Sequence, residues 1–172
     1  MSESRTRNEM IALHECGHAT MAIFYGVPVI KIDLEVNSDK LPGAEIDANE
    51  FNKLPSNKKI DFYISGYAAE KIYVSLMNSS TEEHFAKQYA HTIFKNESTK
   101  NSTNDMTEAK KVMWFPFFKE YQIKKSRMRA YAILENNKCL MFYLFKELLN
   151  NNGCLKSEDI NNILASLNTQ VI

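Results

Sequence analysis

One run constrains this chain more than any other. Residues 8–25 form a helix-periodic segment that carries two histidines four residues apart and stops at Gly26 and Pro28. Gly26 suits the left-handed turn that ends a helix, and Pro28 cannot continue one. At 3.6 residues per turn, His14 and His18 stand about 40° apart around that helix, so both imidazoles can reach one point. Cys16 is about 200° from His14 and falls on the opposite side, where it reads as a core thiol and not as a partner of the two rings.

The remainder of the chain reads as mainly helical with one small β-hairpin. In Val29–Val36, Ile30, Ile32, Leu34 and Val36 alternate with charged residues, the pattern of a half-buried strand. A polar turn with Asn37, Ser38, Asp39, Pro42 and Gly43 leads to a second short strand, Ala44–Asp47. A helix over 57–77 carries Ile60, Tyr63, Ile64, Tyr67, Ala68 and Ile72 as one apolar stripe. Gly66 inside it costs about 1 kcal/mol against alanine, which close approach of another backbone would justify. Thr81–Phe94 is compatible with a helix, and Lys95–Asn104 reads as a loop. Asp105–Val112 is the next helix, with Ser102 or Asn104 as cap and Glu108 in its first turn; Pro116 limits it. One long helix is expected over 125–150, presenting Ala130, Ile133, Leu134, Met141, Leu144 and Leu148, with Gly153 as its stop. Ser157 opens a last helix with Glu158 and Asp159 in its first turn.

A chain of 172 residues is the size of one domain, and 44% hydrophobic residues suffice for a core. Twenty-one basic residues balance 21 acidic ones, so the charge footprint of a nucleic-acid binder is missing. The one dense basic run, Lys124, Lys125, Arg127 and Arg129, reads as a solvated helix start. Three scattered cysteines, Cys16, Cys139 and Cys154, form neither a disulfide framework nor a zinc ribbon. The first residues lack the apolar stretch of a signal peptide, and Met21–Ile30 is too short and interrupted to span a bilayer. These features predict a soluble, cytoplasmic protein with free thiols.

The segment His14-Glu-Cys-Gly-His18 has the HExxH pattern. Two imidazoles one turn apart fit a tetrahedral zinc, and Glu15 sits beside that face rather than on it. Zinc lowers the pKa of a bound water towards roughly 7, and such a carboxylate can take its proton for attack on a peptide carbonyl. A catalytic zinc needs a third protein ligand and an open position. Met21 and Phe24 stand where the metzincin extension requires glycine and histidine, which excludes that class. Glu70 and Asp105 are the carboxylate candidates, and spacing does not choose between them. His84 and His91, seven apart, read as a solvated face.

Beyond the motif, ordered segments of the chain resemble the peptidase domain of the FtsH family of ATP-dependent zinc proteases, peptidase family M41. Ile11–Ala19 resembles the family's metal-binding helix, and Val29–Val36 the strand after it. Ser65-Gly66-Tyr67-Ala68-Ala69-Glu70 resembles its Gly-Gly-Arg-Ala-Ala-Glu segment, with Tyr67 in place of the arginine. Ser102–Asp105 with Glu108-Ala109 resembles the stretch bearing its third zinc ligand, and Ala130–Glu135, Leu148-Leu149, Leu155 and Glu158–Ile160 resemble its closing helices. The resemblance implies a single helical zincin-type domain over 1–172 that holds Zn2+ through His14, His18 and Asp105. Glu15 would be the general base, and Glu70 a supporting carboxylate or alternative ligand. No P-loop pattern GxxxxGK[ST] is present, so the expected activity is cleavage of flexible or unfolded proteins without ATP, or with an unfoldase acting in trans. The competing expectation is a non-catalytic, regulatory zinc-binding module that docks on a protein partner.

Overall fold

The structure, a computed structural model, describes residues 3–35, 41–78, 101–113 and 119–169. These form seven helices and three strands: α1 (Glu3–Phe24), β1 (Val29–Asp33), β2 (Gly43–Ile46), α2 (Ala48–Lys53), α3 (Ser56–Asn78), α4 (Asn101–Val112), α5 (Lys119–Asn136), α6 (Lys138–Asn150), β3 (Cys154–Lys156) and α7 (Ser157–Thr169). The fold is thus mainly α with one small antiparallel sheet, ordered β2-β1-β3. The expected helix over Thr81–Phe94, His84 and His91, the turn at Asn37–Asp39, Val36 and Pro116 lie outside the described residues.

α1 ends as its sequence predicts. Gly26 takes φ +74°, Val27 N–H reaches Ala22 O at 2.9 Å, and Gly26 N–H reaches Ile23 O at 3.0 Å. This pair of bonds satisfies the last carbonyls and turns the chain into β1. The alternation expected along β1 breaks at its start: Val29 and Ile32 are buried, whereas Ile30 is 44% exposed. The register between β1 and β2 slips between Val29 and Lys31, and this bulge puts Ile30 outward.

The long helix expected over 125–150 is two helices that meet at Asn137. Its side-chain amide donates to Ile133 O at 2.7 Å, the same carbonyl that its backbone N–H reaches at 3.0 Å, and this local bonding competes with a continuing helix. Leu134 and Met141 are seven residues apart and both fully buried, so the apolar spacing passes through the break without a sign of it. α4 starts at Asn101, earlier than the predicted cap positions Ser102 and Asn104, which lie within it. Two further elements were not predicted. Asp47 caps α2 by accepting from Asn49 and Glu50 N–H, and β3 is only three residues long. Asp47 with Glu50 three residues on is the capping pattern that marks such a start.

α1 is the central element, packed on α3, α6 and the sheet. α3 lies between α1 and α5, with α4 against it, and is buried on two sides. Ile60, Ile64, Ala68 and Ile72 make the expected stripe. A second face, Phe62, Ser65, Gly66, Ala69 and Glu70, is also buried, and it includes polar residues that a hydrophobic stripe cannot reveal. Each fully buried Leu or Ile contributes about 1.5–3 kcal/mol to the packing that fixes these helices.

Candidate metal centre

α1 and α3 cross at two glycines. A Cβ on Gly17 would lie 2.7 Å from Ala69 Cβ and 2.8 Å from Ser65 O, and a Cβ on Gly66 would overlap the His14 ring. A close approach at Gly66 is therefore present, but its nearest obstacle is the His14 imidazole and not the backbone that the sequence suggested. This crossing seats both histidines, each 5% exposed, against α3.

The ring orientations follow from what lies at Nδ1. His14 Nδ1 donates to Glu70 Oε1 at 2.6 Å. His18 Nδ1 donates to Phe62 O at 2.9 Å and meets Ser65 Oγ at 3.1 Å, while Ser65 Oγ–H donates to Phe62 O at 2.6 Å. Acceptors at both Nδ1 atoms place the protons there. Both Nε2 atoms then present lone pairs, and these lone pairs converge.

His14 Nε2 and His18 Nε2 are 3.1 Å apart, and Asp105 Oδ2 of α4 is 3.0 Å from the first and 3.1 Å from the second. A triangle of three acceptors at this spacing is repulsive unless a metal ion or a proton shares it. Its edges approach the ~3.3 Å separation of ligand atoms on a tetrahedral ion with bonds of ~2.0–2.1 Å. The three residues form a group able to hold a metal ion. Glu70 lies on the other edge of the His14 ring and outside this triangle. Support of a ligating imidazole by a carboxylate or carbonyl at its far nitrogen is the usual second layer of a metal centre.

The electrostatics agree. Burial alone would lower the His14 pKa, but its hydrogen bonds to Asp105 and Glu70 and the nearby Glu15 charge raise it from 6.5 to about 10. Burial would raise the Asp105 pKa, yet His18 and His14 hold it well below the usual carboxylate range. Both shifts express one property, a site built for positive charge.

Glu15 is 5% exposed, and its Oε2 accepts the Ala44 N–H of β2 at 2.9 Å. β2 is an edge of the described sheet, so Glu15 stands between the centre and a strand edge. Cys16 is fully buried and free, as its helical position predicts. Of the basic run, Lys124, Lys125 and Arg127 are exposed on the body of α5, not at a helix start. Arg129 departs from the solvated reading: it forms two 2.9 Å bonds with Asp61, a carboxylate 1% exposed that also accepts Tyr25 O–H at 2.8 Å.

No protein-family model matches the sequence, and no curated protein matches it as a relative. The functional reading rests on the geometry of the centre.

Proposed function

We propose that the protein is a zinc-dependent metallopeptidase. The observation that carries this reading is the convergence of three acceptor atoms, from His14, His18 and Asp105, beside a fourth group, Glu15, that is excluded from the triangle. Three protein ligands leave one tetrahedral position open, the pattern of catalytic sites as opposed to closed structural ones. A zinc ion held there would lower the pKa of a water in the open position and polarise the substrate carbonyl. The chain's own groups supply the rest. Glu70 and the Phe62 carbonyl keep both histidines in the tautomer that offers Nε2. Glu15, tethered at Oε2 by the Ala44 amide, is positioned to accept a proton and return it to the leaving amine. The edge of β2 beside it can align an extended peptide through backbone hydrogen bonds.

The preferred substrates in this reading are flexible or unfolded protein segments, with an unfoldase in trans for folded ones, in a cytoplasmic setting. None of the described helices is long and apolar enough to cross a membrane. Glu15→Gln tests the proposal. It should lower hydrolysis of unfolded casein by about 10²–10⁴-fold while zinc content stays at the wild-type level. A zinc-loaded Glu15→Gln protein with undiminished activity would sink the peptidase reading. A wild type that binds zinc yet cleaves neither casein nor a peptide library would favour the regulatory binding module.

A further inference from the structure

A groove of about 390 Å³ lies between α3 and α5, remote from the acceptor triangle in chemistry though it shares a helix with it. Ile64 and Ala68 form its buried floor, Met128 and Tyr131 its exposed wall, and Lys71 and Arg127 stand at it as cations. Tyr121, Met128 and Tyr131, spaced seven and three apart, share one face of α5. They are three of the eight large hydrophobics exposed among the described residues, and they form an apolar strip along that helix face.

Cations in this chain are held in two ways: beside a carboxylate, or over an aromatic ring, as Lys58 is over Tyr25 and Lys59 over Phe51. Lys53, Lys111 and Lys138 each pair with a glutamate three residues before them. Lys71 and Arg127 instead lie over the Tyr67 ring, at 5.2 and 5.5 Å from its centroid, and Lys125 lies 4.7 Å over Tyr121. Among the described residues no carboxylate pairs with Lys71, Lys125 or Arg127. In a chain of zero net charge, this is a local positive face around an apolar recess.

We infer that this groove binds an acidic peptide segment that carries one apolar anchor side chain flanked by carboxylates. The recess has room for one or two side chains, and the cations at it complement the flanking charges. A bilayer favours protruding apolar groups over a recess between helices. Single-stranded RNA needs open ring faces to stack on, whereas the Tyr67 ring already carries two cations. α3 bears Tyr67 and Lys71 at the groove and Gly66 and Glu70 at the metal centre. On the peptidase reading, a substrate docked here would therefore be held close to the site, which raises its effective concentration. The docking itself does not depend on hydrolysis.

The test is fluorescence anisotropy with a labelled peptide of one central leucine flanked by glutamates, added to zinc-loaded Glu15→Gln protein so that nothing is cut. Binding should weaken with salt, and by about 10–100-fold in Lys71→Glu/Arg127→Glu. Met128→Ala should weaken it while keeping the salt dependence, and both variants should unfold at the wild-type temperature. Equal binding by the charge-reversed variant, or equal affinity for a lysine-flanked peptide, would overturn the inference. So would stronger binding to phosphatidylserine-containing vesicles or to oligouridylate than to the acidic peptide. Acidic-peptide binding in a protein that proves to have no peptidase activity would leave this inference standing and remove only the catalytic reading.

Discussion

α3 carries two buried polar clusters, and they are built on opposite principles. At Asp61, donors and acceptors match: Arg129 donates to both carboxylate oxygens, Tyr25 adds an O–H, and Ser126 Oγ takes a further Arg129 N–H at 2.9 Å. One negative charge meets one positive charge, and the cluster is complete within the chain. At His14, His18 and Asp105 the inward-facing atoms are all acceptors, and the donors are turned outward to Glu70 and to Phe62 O. The first cluster joins α3, α5 and the turn after α1 as a structural clamp. The second is completed only by a shared positive charge, a proton or a metal ion. Buried charge is thus not by itself a sign of function; mismatch between donors and acceptors is the sign.

The comparison can be broken most forcefully at the clamp. Arg129→Ala leaves Asp61 charged, buried and supported by Tyr25 alone. It should cost about 3–5 kcal/mol in denaturant unfolding, with or without metal. Asp61→Ala should cost less, because the Arg129 side chain is 40% exposed and can regain water. Equal costs, or a cost that appears only in metal-loaded protein, would contradict the assignment of this cluster to structure.

The centre should respond through metal affinity instead. Glu70→Gln removes the charged acceptor at His14 Nδ1 and should weaken zinc binding by about 10–100-fold, measured by competition with a chromophoric chelator. Ser65→Ala should weaken it less, because Phe62 O still accepts from His18. The reverse order would show that Ser65 matters more to the imidazoles than the carboxylate does.

A further effect is in pH. In metal-free protein a proton on His14 Nε2 can donate to Asp105 and occupy the triangle in place of a metal. The folded pKa of about 10 lies above the ordinary 6.5, so this contribution is complete below pH 6.5 and is lost as pH rises towards 10. Thermal unfolding of metal-free protein should therefore show falling stability across that window, and zinc should abolish the slope. A slope unchanged by zinc would place its origin elsewhere.

Much of this was legible in the sequence, for reasons that can be named. α1, its stop at Gly26 and the facing of His14 and His18 follow from helical period and terminal chemistry, which are local. The break at Asn137 was not legible, because the Leu134-to-Met141 spacing is the same in one helix or two. The bulge at Ile30 depends on pairing with β2, which residue alternation does not encode. Within the site, Glu70 and Asp105 were both visible as candidates, but only the packing of α3 and α4 on α1 decides which edge of the His14 ring each one meets. Asp61 and Ser65 were missed, and Arg129 was read as solvated: each takes its role from tertiary contact and is silent in any hydrophobic pattern.

The central claim is that His14, His18 and Asp105 hold one metal ion. Elemental mass spectrometry of purified wild type beside His18→Ala and Asp105→Ala tests it directly. The account predicts close to one zinc per wild-type chain, and its loss in both variants. Zinc retained in Asp105→Ala, or a wild type that takes up no metal on reconstitution, would contradict it.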